Sequence, residues 1–295
     1  MPIQVQFTAM KLFVILVFFG SLCQAHSWVE RLMKISTNGT LIGAPGYIRG
    51  AVSRLSPDFS DHAMMNLLPP EDGRCIARTR DSDMICKGTQ AVGNYSSDYP
   101  RLRASPGDFI ALQFQENGHV TLPWNSPQKA NAGKVFIYGT PSSIDGETLH
   151  SIHKAWNEEG TGGNQRGKLL AVWPFDDGRC YQINDGPISV SRRQTYRKEA
   201  IGPQYEDLWC QADIRLPVDI HDQYTLYWVW DWPSMPSQQY PSGQTEIYTS
   251  CMDILLDDRV QDEDMDYGEG QDLNFAAVED QVTSPALQDV SSTLA

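Results

Sequence analysis

The segment QYTLYWVWDW, residues 223–232, constrains the fold more than any other stretch of the chain. Drawn out as a strand, it puts Tyr224, Leu226, Trp228 and Trp230 on one face and Thr225, Tyr227 and Val229 on the other. Other short runs have the same extended character. DFIALQF (108–114) and KVFIYG (134–139) are each introduced by Gly, and KLLAVW (168–173) is entered from the flexible GTGGNQRG. TEIYTSCMDILL (245–256) follows a PSGQ turn. Helix signals are scarce, the exception being a short candidate in GETLHSIHKAW (146–156). Short strands, frequent Gly and Pro, and long loops predict an all-β chain. The expected fold is an antiparallel, immunoglobulin/fibronectin-III-like β-sandwich with long loops.

The N-terminus has a different character. Lys11 precedes the apolar run LFVILVFFG, and a small-residue exit follows at LCQA. This is the anatomy of a secretory signal peptide, and the apolar run is too short to span a bilayer. Residues 1–25 are therefore expected to be removed, with His26 left as the first mature residue. Residues 26–256 are expected to form one sandwich domain.

From 257 to 295 the chain is acidic and then Ser-, Thr- and Gln-rich, which predicts a disordered tail. That tail lacks the terminal apolar stretch of a GPI signal, and no solenoid repeat is visible. The formal charge is −14, and the tail holds eleven acids against one arginine. Most of the acidity therefore belongs to the tail and not to the domain. Neither part offers the basic stripe that nucleic acid requires. A secreted, extracellular monomer is expected, with no membrane partner after cleavage.

Five cysteines remain beyond the signal: Cys75, Cys86, Cys180, Cys210 and Cys251. In a secreted chain most should be disulfide-bonded, with one left over or paired between chains. The sequons at Asn38 and Asn94 are glycosylation candidates, whereas proline disqualifies Asn125.

A mature N-terminal histidine is an unusual chelator. Its α-amine and imidazole Nδ1 can bind one metal together, and the amine's modest basicity lets a metal displace the proton. A second imidazole completes an all-nitrogen site of the kind that suits Cu(II). His119, after DFIALQF and an Asn117–Gly118 turn, is one candidate; the glycine allows close backbone approach. His221 is expected to be solvated and His62 to lie in a loop. His150 and His153 share a helical spacing, but no carboxylate or third histidine is placed in sequence to complete a site.

In TEIYTSC, Glu246 and Tyr248 project from one face of a strand. Beside copper, a phenol can shield the axial position, and a carboxyl group can orient an oxygen species or pass a proton. Alternatively, both are ordinary sandwich residues.

The terminal histidine, the internal GH after a strand and the closing E-x-Y-x-x-C together resemble the lytic polysaccharide monooxygenases. More closely, AHSWVE, YPRLRASPGDFIALQFQENGHVTLP, FDDGRCYQIND, YTLYWVWDW and EIYTSCMD resemble a family of fungal secreted proteins of unknown function related to those monooxygenases. The resemblance spans nearly all of residues 26–256. It implies metal ligation by His26 and His119, with Tyr248 as the axial residue of the copper site and Glu246 beside it, the latter two in the catalytic role.

The cofactor would be copper, fed by an external electron donor. The substrate would be a polysaccharide such as cellulose, chitin or wall glucan, oxidised at C1 or C4. Trp28, Tyr47 and Trp124 could stack on sugar rings. Closure of the last strand onto an early loop suggests Cys251 with Cys75 or Cys86, and Cys180 with Cys210 would bracket one long loop.

Two rivals stand beside the oxidoreductase. One is a non-catalytic copper protein for capture or delivery, using the same histidines. The other is a metal-free, wall-associated carbohydrate-binding protein. An ordinary hydrolase is disfavoured because no GxSxG elbow occurs.

Overall fold

The computed structural model describes residues 26–36, 39, 41–72, 78–198 and 206–257. The expected signal peptide, Asn38, Cys75 and the tail from residue 258 onward lie outside them.

Two sheets form the body. The first has the order β2 (Leu41–Gly46), β1 (Val29–Ile35), β5 (Phe109–Phe114), β8 (Cys210–Arg215). The second runs β3 (Asn66–Leu68), β10 (Ile247–Leu256), β9 (Gln223–Asp231), β6 (Lys134–Thr140), β7 (Lys168–Pro174). The short β4 (Leu102–Ala104) joins the far end of β10 in parallel, and the other described strand pairings are antiparallel. The architecture is an antiparallel β-sandwich, as the alternation predicted.

The strand with the clearest alternation sits inside the larger sheet, between β10 and β6. Tyr224, Leu226, Trp228 and Trp230 pack into the main core with Leu32, Leu112, Phe114 and Ile214 of the facing sheet. Tyr227 and Val229 belong to a second cluster on the outer side, covered by Leu149, Ile152 and Trp156. Burial on both faces explains why the strand carries so few polar residues. Full burial stabilises residues such as Leu226 and Val229 by roughly 1.5–3 kcal/mol each.

The long loop region after β6 is thus a lid on the outer face, and its helix is shorter than expected. Only Leu149–Ile152 (α2) is helical within 146–156; the chain leaves the helix at His153, and Lys154 takes a φ of 60°. The longest described helix, α3 (Pro187–Thr195), was not expected at all. Proline at its first turn suits a helix start, since its missing N–H would have no partner there.

Strands β1, β2, β3, β4 and β8 also carried no clear signal. In β1 the register against β5 slips between Val29 and Arg31, which interrupts any period of two there.

Two disulfides are present among the described residues. Cys86 is bonded to Cys251 and Cys180 to Cys210. Of the two partners left open for Cys251, the structure has Cys86.

Candidate metal centre at His26 and His119

Where β5 ends, the chain makes a tight turn. The His119 amide donates to the Glu116 carbonyl at 2.8 Å, closing a turn in which Asn117 and Gly118 have φ of 47° and 78°. Two successive left-handed residues are the signature of a type I′ turn, and Asn-Gly is its preferred pair. Gly118 is needed for this backbone conformation more than for space, because an added Cβ would meet only ordinary contacts, the nearest at 3.4 Å.

The buried Glu116 carboxylate holds the turn rigid. It accepts from the Val120 amide at 2.8 Å, the Thr121 amide at 3.2 Å, the Thr121 hydroxyl, and the Gln182 amide at 2.9 Å.

His26 is stitched to this turn. The Asn117 side-chain amide donates to the His26 carbonyl, and the Ser27 hydroxyl donates to the Gln115 carbonyl at 2.9 Å. His26 is half-buried, and its Nδ1 lies 2.9 Å from an oxygen of Asp61 in the one-turn helix α1 (Asp61–Met64). His62 therefore sits in a helix rather than in the expected loop, its ring 6.0 Å from that of His26.

His119 is only 5% exposed and packs between Trp230 at 5.6 Å and Trp232 at 4.9 Å. Its Nε2 is buried with no hydrogen-bond partner among the described residues. Burial, reinforced by the positive charge of His26 and of Lys129, pushes its pKa down to about 4. At neutral pH it is an uncharged imidazole with a buried nitrogen, the form in which histidine binds a metal.

A second row of side chains continues from it. Lys129 lies over the Trp232 ring at 4.1 Å and pairs with a Glu246 oxygen at 2.5 Å. The other Glu246 oxygen accepts from the Tyr248 hydroxyl at 2.8 Å. Tyr248 is buried and stacks on Trp230 at 5.1 Å, the same ring that touches His119. Glu246 stands just before β10, and its carboxylate reaches the Tyr248 hydroxyl at the strand's start. Both Glu246 oxygens are engaged, although the side chain is partly exposed. Lys129 and Asp61 had no signal in sequence, since their partners are distant along the chain.

The remaining candidates lie elsewhere. His221, exposed, precedes β9 at the end opposite Trp230 and Trp232. His150 and His153 each have a carboxylate after all, contrary to expectation, but different ones. His150 pairs with Asp81 at 2.8 Å, and His153 bridges Asp231 at 3.3 Å and the Tyr138 hydroxyl at 3.1 Å. Trp28 is buried against Phe59 and Arg54 and cannot present a face to a sugar. Tyr47 is partly exposed, edge-on to Tyr99 at 4.9 Å. Trp124, 54% exposed, lies on the turn following His119.

Asn94 is exposed, with its side-chain amide donating to the Thr89 carbonyl at 2.7 Å. Among the described residues, Asp177, Cys180 and Cys210 are the one group of three possible donors close enough to share an ion, but the two sulfurs are bonded to each other and Asp177 accepts three backbone amides.

A family described as Domain of unknown function (DUF7492) matches residues 23–279. The chain belongs to this family. The match covers both His26 and His119. No curated protein matches the DUF7492 chain.

Among solved structures, a copper complex of the cellulose-active LPMO CelS2 is 14% identical, over 59% of this chain and 65% of that one, with a TM-score of 0.29. A Bacillus amyloliquefaciens CBM33 in complex with Cu(I) is 9% identical, over 55% and 59%, with a TM-score of 0.25. HiLPMO9B is 12% identical, over 79% and 78%, with a TM-score of 0.32. The DUF7492 chain thus spans less than two thirds of the first two proteins. Its sandwich architecture is read from its own strand pairing.

Proposed function

We propose that the mature protein, cut after Ala25 and exported, is a copper-dependent oxidoreductase of the lytic polysaccharide monooxygenase type. The α-amine and Nδ1 of His26 and the imidazole of His119 hold the metal. One observation carries this reading: His119 keeps a buried, partnerless Nε2 on a turn whose Asn117 also grips His26. A buried polar atom left without a partner costs about 1–3 kcal/mol, and a bound cation removes that cost. An all-nitrogen donor set fits Cu(II) best among divalent metals.

When bound, copper supplies one-electron exchange with an external donor and the activation of H₂O₂ or O₂ for oxidative cleavage of a glycosidic bond. The protein's own residues set the surroundings. Trp230 and Trp232 wall off the His119 side from water. Glu246 orients the Tyr248 hydroxyl and is the group to which that hydroxyl can pass a proton. Trp124 offers an exposed ring on the His119 turn for a sugar of cellulose, chitin or wall glucan.

A second reading, copper capture without turnover, draws on a separate observation. The Glu246 carboxylate is neutralised by Lys129, which reduces its readiness to serve an oxygen species.

The test is a Cu(II) titration of correctly cleaved protein followed by EPR, beside His119→Ala. A tight one-to-one site with nitrogen hyperfine structure, lost in the variant, supports the copper centre. No tight site in the wild type defeats both copper readings. Mass spectrometry of polysaccharide incubated with protein and a reductant then separates them. Oxidised oligosaccharides mark the enzyme, and their absence from a copper-loaded protein marks capture.

A further inference from the structure

We infer that a basic cavity at the C-terminal end of α3 binds an anion, the carboxylate, phosphate or sulfate group of a small polar molecule. The site stands apart from the copper reading and does not rest on it. The cavity has a volume of about 450 Å³. Tyr181, Ile183 and Val190 form one part of its wall, and Arg193, Arg197 and Lys198 supply the charge. A volume of this order suits a small molecule better than a bare ion.

The preceding arginine shows the contrast with a structural role. Arg192 donates to the Cys180 carbonyl at 2.8 Å and to Asp176 at 2.9 Å, which pins α3 to the chain before it. The Tyr181 hydroxyl holds the helix end by donating to the Tyr196 carbonyl at 3.0 Å. Arg193 and Arg197 are exposed and make no hydrogen bond or ion pair among the described residues. Lys198 is half-buried and donates to the Asp207 carbonyl at 2.5 Å.

Positive charge also lies behind the cavity. Arg31 is 4% exposed, sits over the Trp209 ring at 5.3 Å and donates from Nε to Gln113 at 2.6 Å. Its Nη2 is buried without a hydrogen-bond partner. That charge is felt at Lys198. Burial lowers the Lys198 pKa to about 7, and Arg31 adds to the fall while Asp207 opposes it.

Among the described residues of the wall, three cations face one acid, Glu206. The chain as a whole carries −14, so the cavity is a local reversal of sign and not part of a basic surface. A cleft lined by one sign of charge concentrates ligands of the other. A guanidinium fork matches paired oxygens of a carboxylate, phosphate or sulfate, which is why two unengaged arginines favour such a group.

Calorimetric titration of the mature protein with inorganic phosphate, sulfate and glucuronate, at low ionic strength, tests the site beside Arg193→Gln/Arg197→Gln. Both arginines are exposed, so the variant should melt with wild type, and each single replacement provides a milder version. The expected result is saturable one-to-one binding of at least one probe, weakened at least tenfold in the double variant. The probe bound most tightly identifies the anionic group. Binding that persists undiminished in the double variant lies elsewhere and overturns the site. The absence of saturable binding for all three probes overturns it as well.

Discussion

The Asn117 side chain donates a hydrogen bond to the backbone carbonyl of His26, ninety-one residues earlier in the chain. One turn thereby positions both histidines, because Asn117 stands two residues before His119. Replacement by glycine keeps the left-handed backbone but deletes the donor. Asn117→Gly should leave thermal stability within about 1 kcal/mol of wild type, the net worth of one hydrogen bond. Cu(II) affinity by calorimetry should fall several-fold, because His26 is no longer tethered. Unchanged affinity would show that the tether plays no part in metal binding.

Glu116 is the anchor behind that turn. Its carboxylate serves three backbone amides and one hydroxyl, and alanine would strand them in the interior. Each orphaned buried donor costs about 1–3 kcal/mol, so Glu116→Ala should lose at least about 3 kcal/mol in urea unfolding. A loss below 1 kcal/mol would mean that water replaces the carboxylate.

His119 and Asp213 tilt stability in opposite directions with pH. His119 has its pKa pushed down to about 4 from 6.5, mainly by burial. The unfolded chain binds the extra proton between those values, so this contribution is lost as pH falls from 6.5 towards 4. Asp213 is 0% exposed, and burial raises its pKa from 3.8 to about 8. There the folded chain binds the extra proton, so stability falls as pH rises from 3.8 to 8.

The two slopes offset below 6.5. Above about 7 the slope of Asp213 is opposed by Lys198, whose pKa burial lowers from 10.5 to about 7, so that the unfolded chain binds the extra proton there. Asp213→Asn, which mimics the protonated acid, should make the change in stability between pH 6.5 and 8 roughly 2 kcal/mol more favourable than in wild type. Urea unfolding of metal-free wild type and variant at those two values decides it. No difference between the two proteins across that interval assigns the effect to another group.

The disulfides should differ in worth. Cys86 and Cys251 are 165 residues apart in sequence, whereas Cys180 and Cys210 are separated by 30. Loop-closure entropy alone gives about 5 kcal/mol for the longer loop and about 3–4 kcal/mol for the shorter. The double variant Cys86→Ala/Cys251→Ala should therefore melt below Cys180→Ala/Cys210→Ala. The reverse order would show that native packing around α3, not loop entropy, sets the ranking.

Legibility in sequence followed locality. Strands β5, β6, β7, β9 and β10 were read to within about two residues, because side-chain alternation is a property of neighbours. β1 was not, since its register slip appears only in its pairing with β5. Helix α3 was missed because its buried residue is a serine, Ser189, which leaves no apolar stripe to detect. Trp28 was offered as a sugar platform because sequence nearness to His26 says nothing of depth, and it proved to be core.

The candidate site divides along the same line. His26, Glu246 and Tyr248 could be picked out as candidates by local chemistry and spacing, whereas His119 was singled out among the histidines by the resemblance to the monooxygenases. That Asn117 would tie His26 to the His119 turn, that Lys129 would occupy one oxygen of Glu246, and that Asp61 would face Nδ1 of His26 were decided only by tertiary structure. The physical reason is one of range. Strand alternation and turn chemistry act over a few residues, while ion pairs, burial and orphaned polar atoms exist only once distant segments share an interior. Sequence alone determined a β-sandwich with two candidate histidines; packing determined what surrounds them.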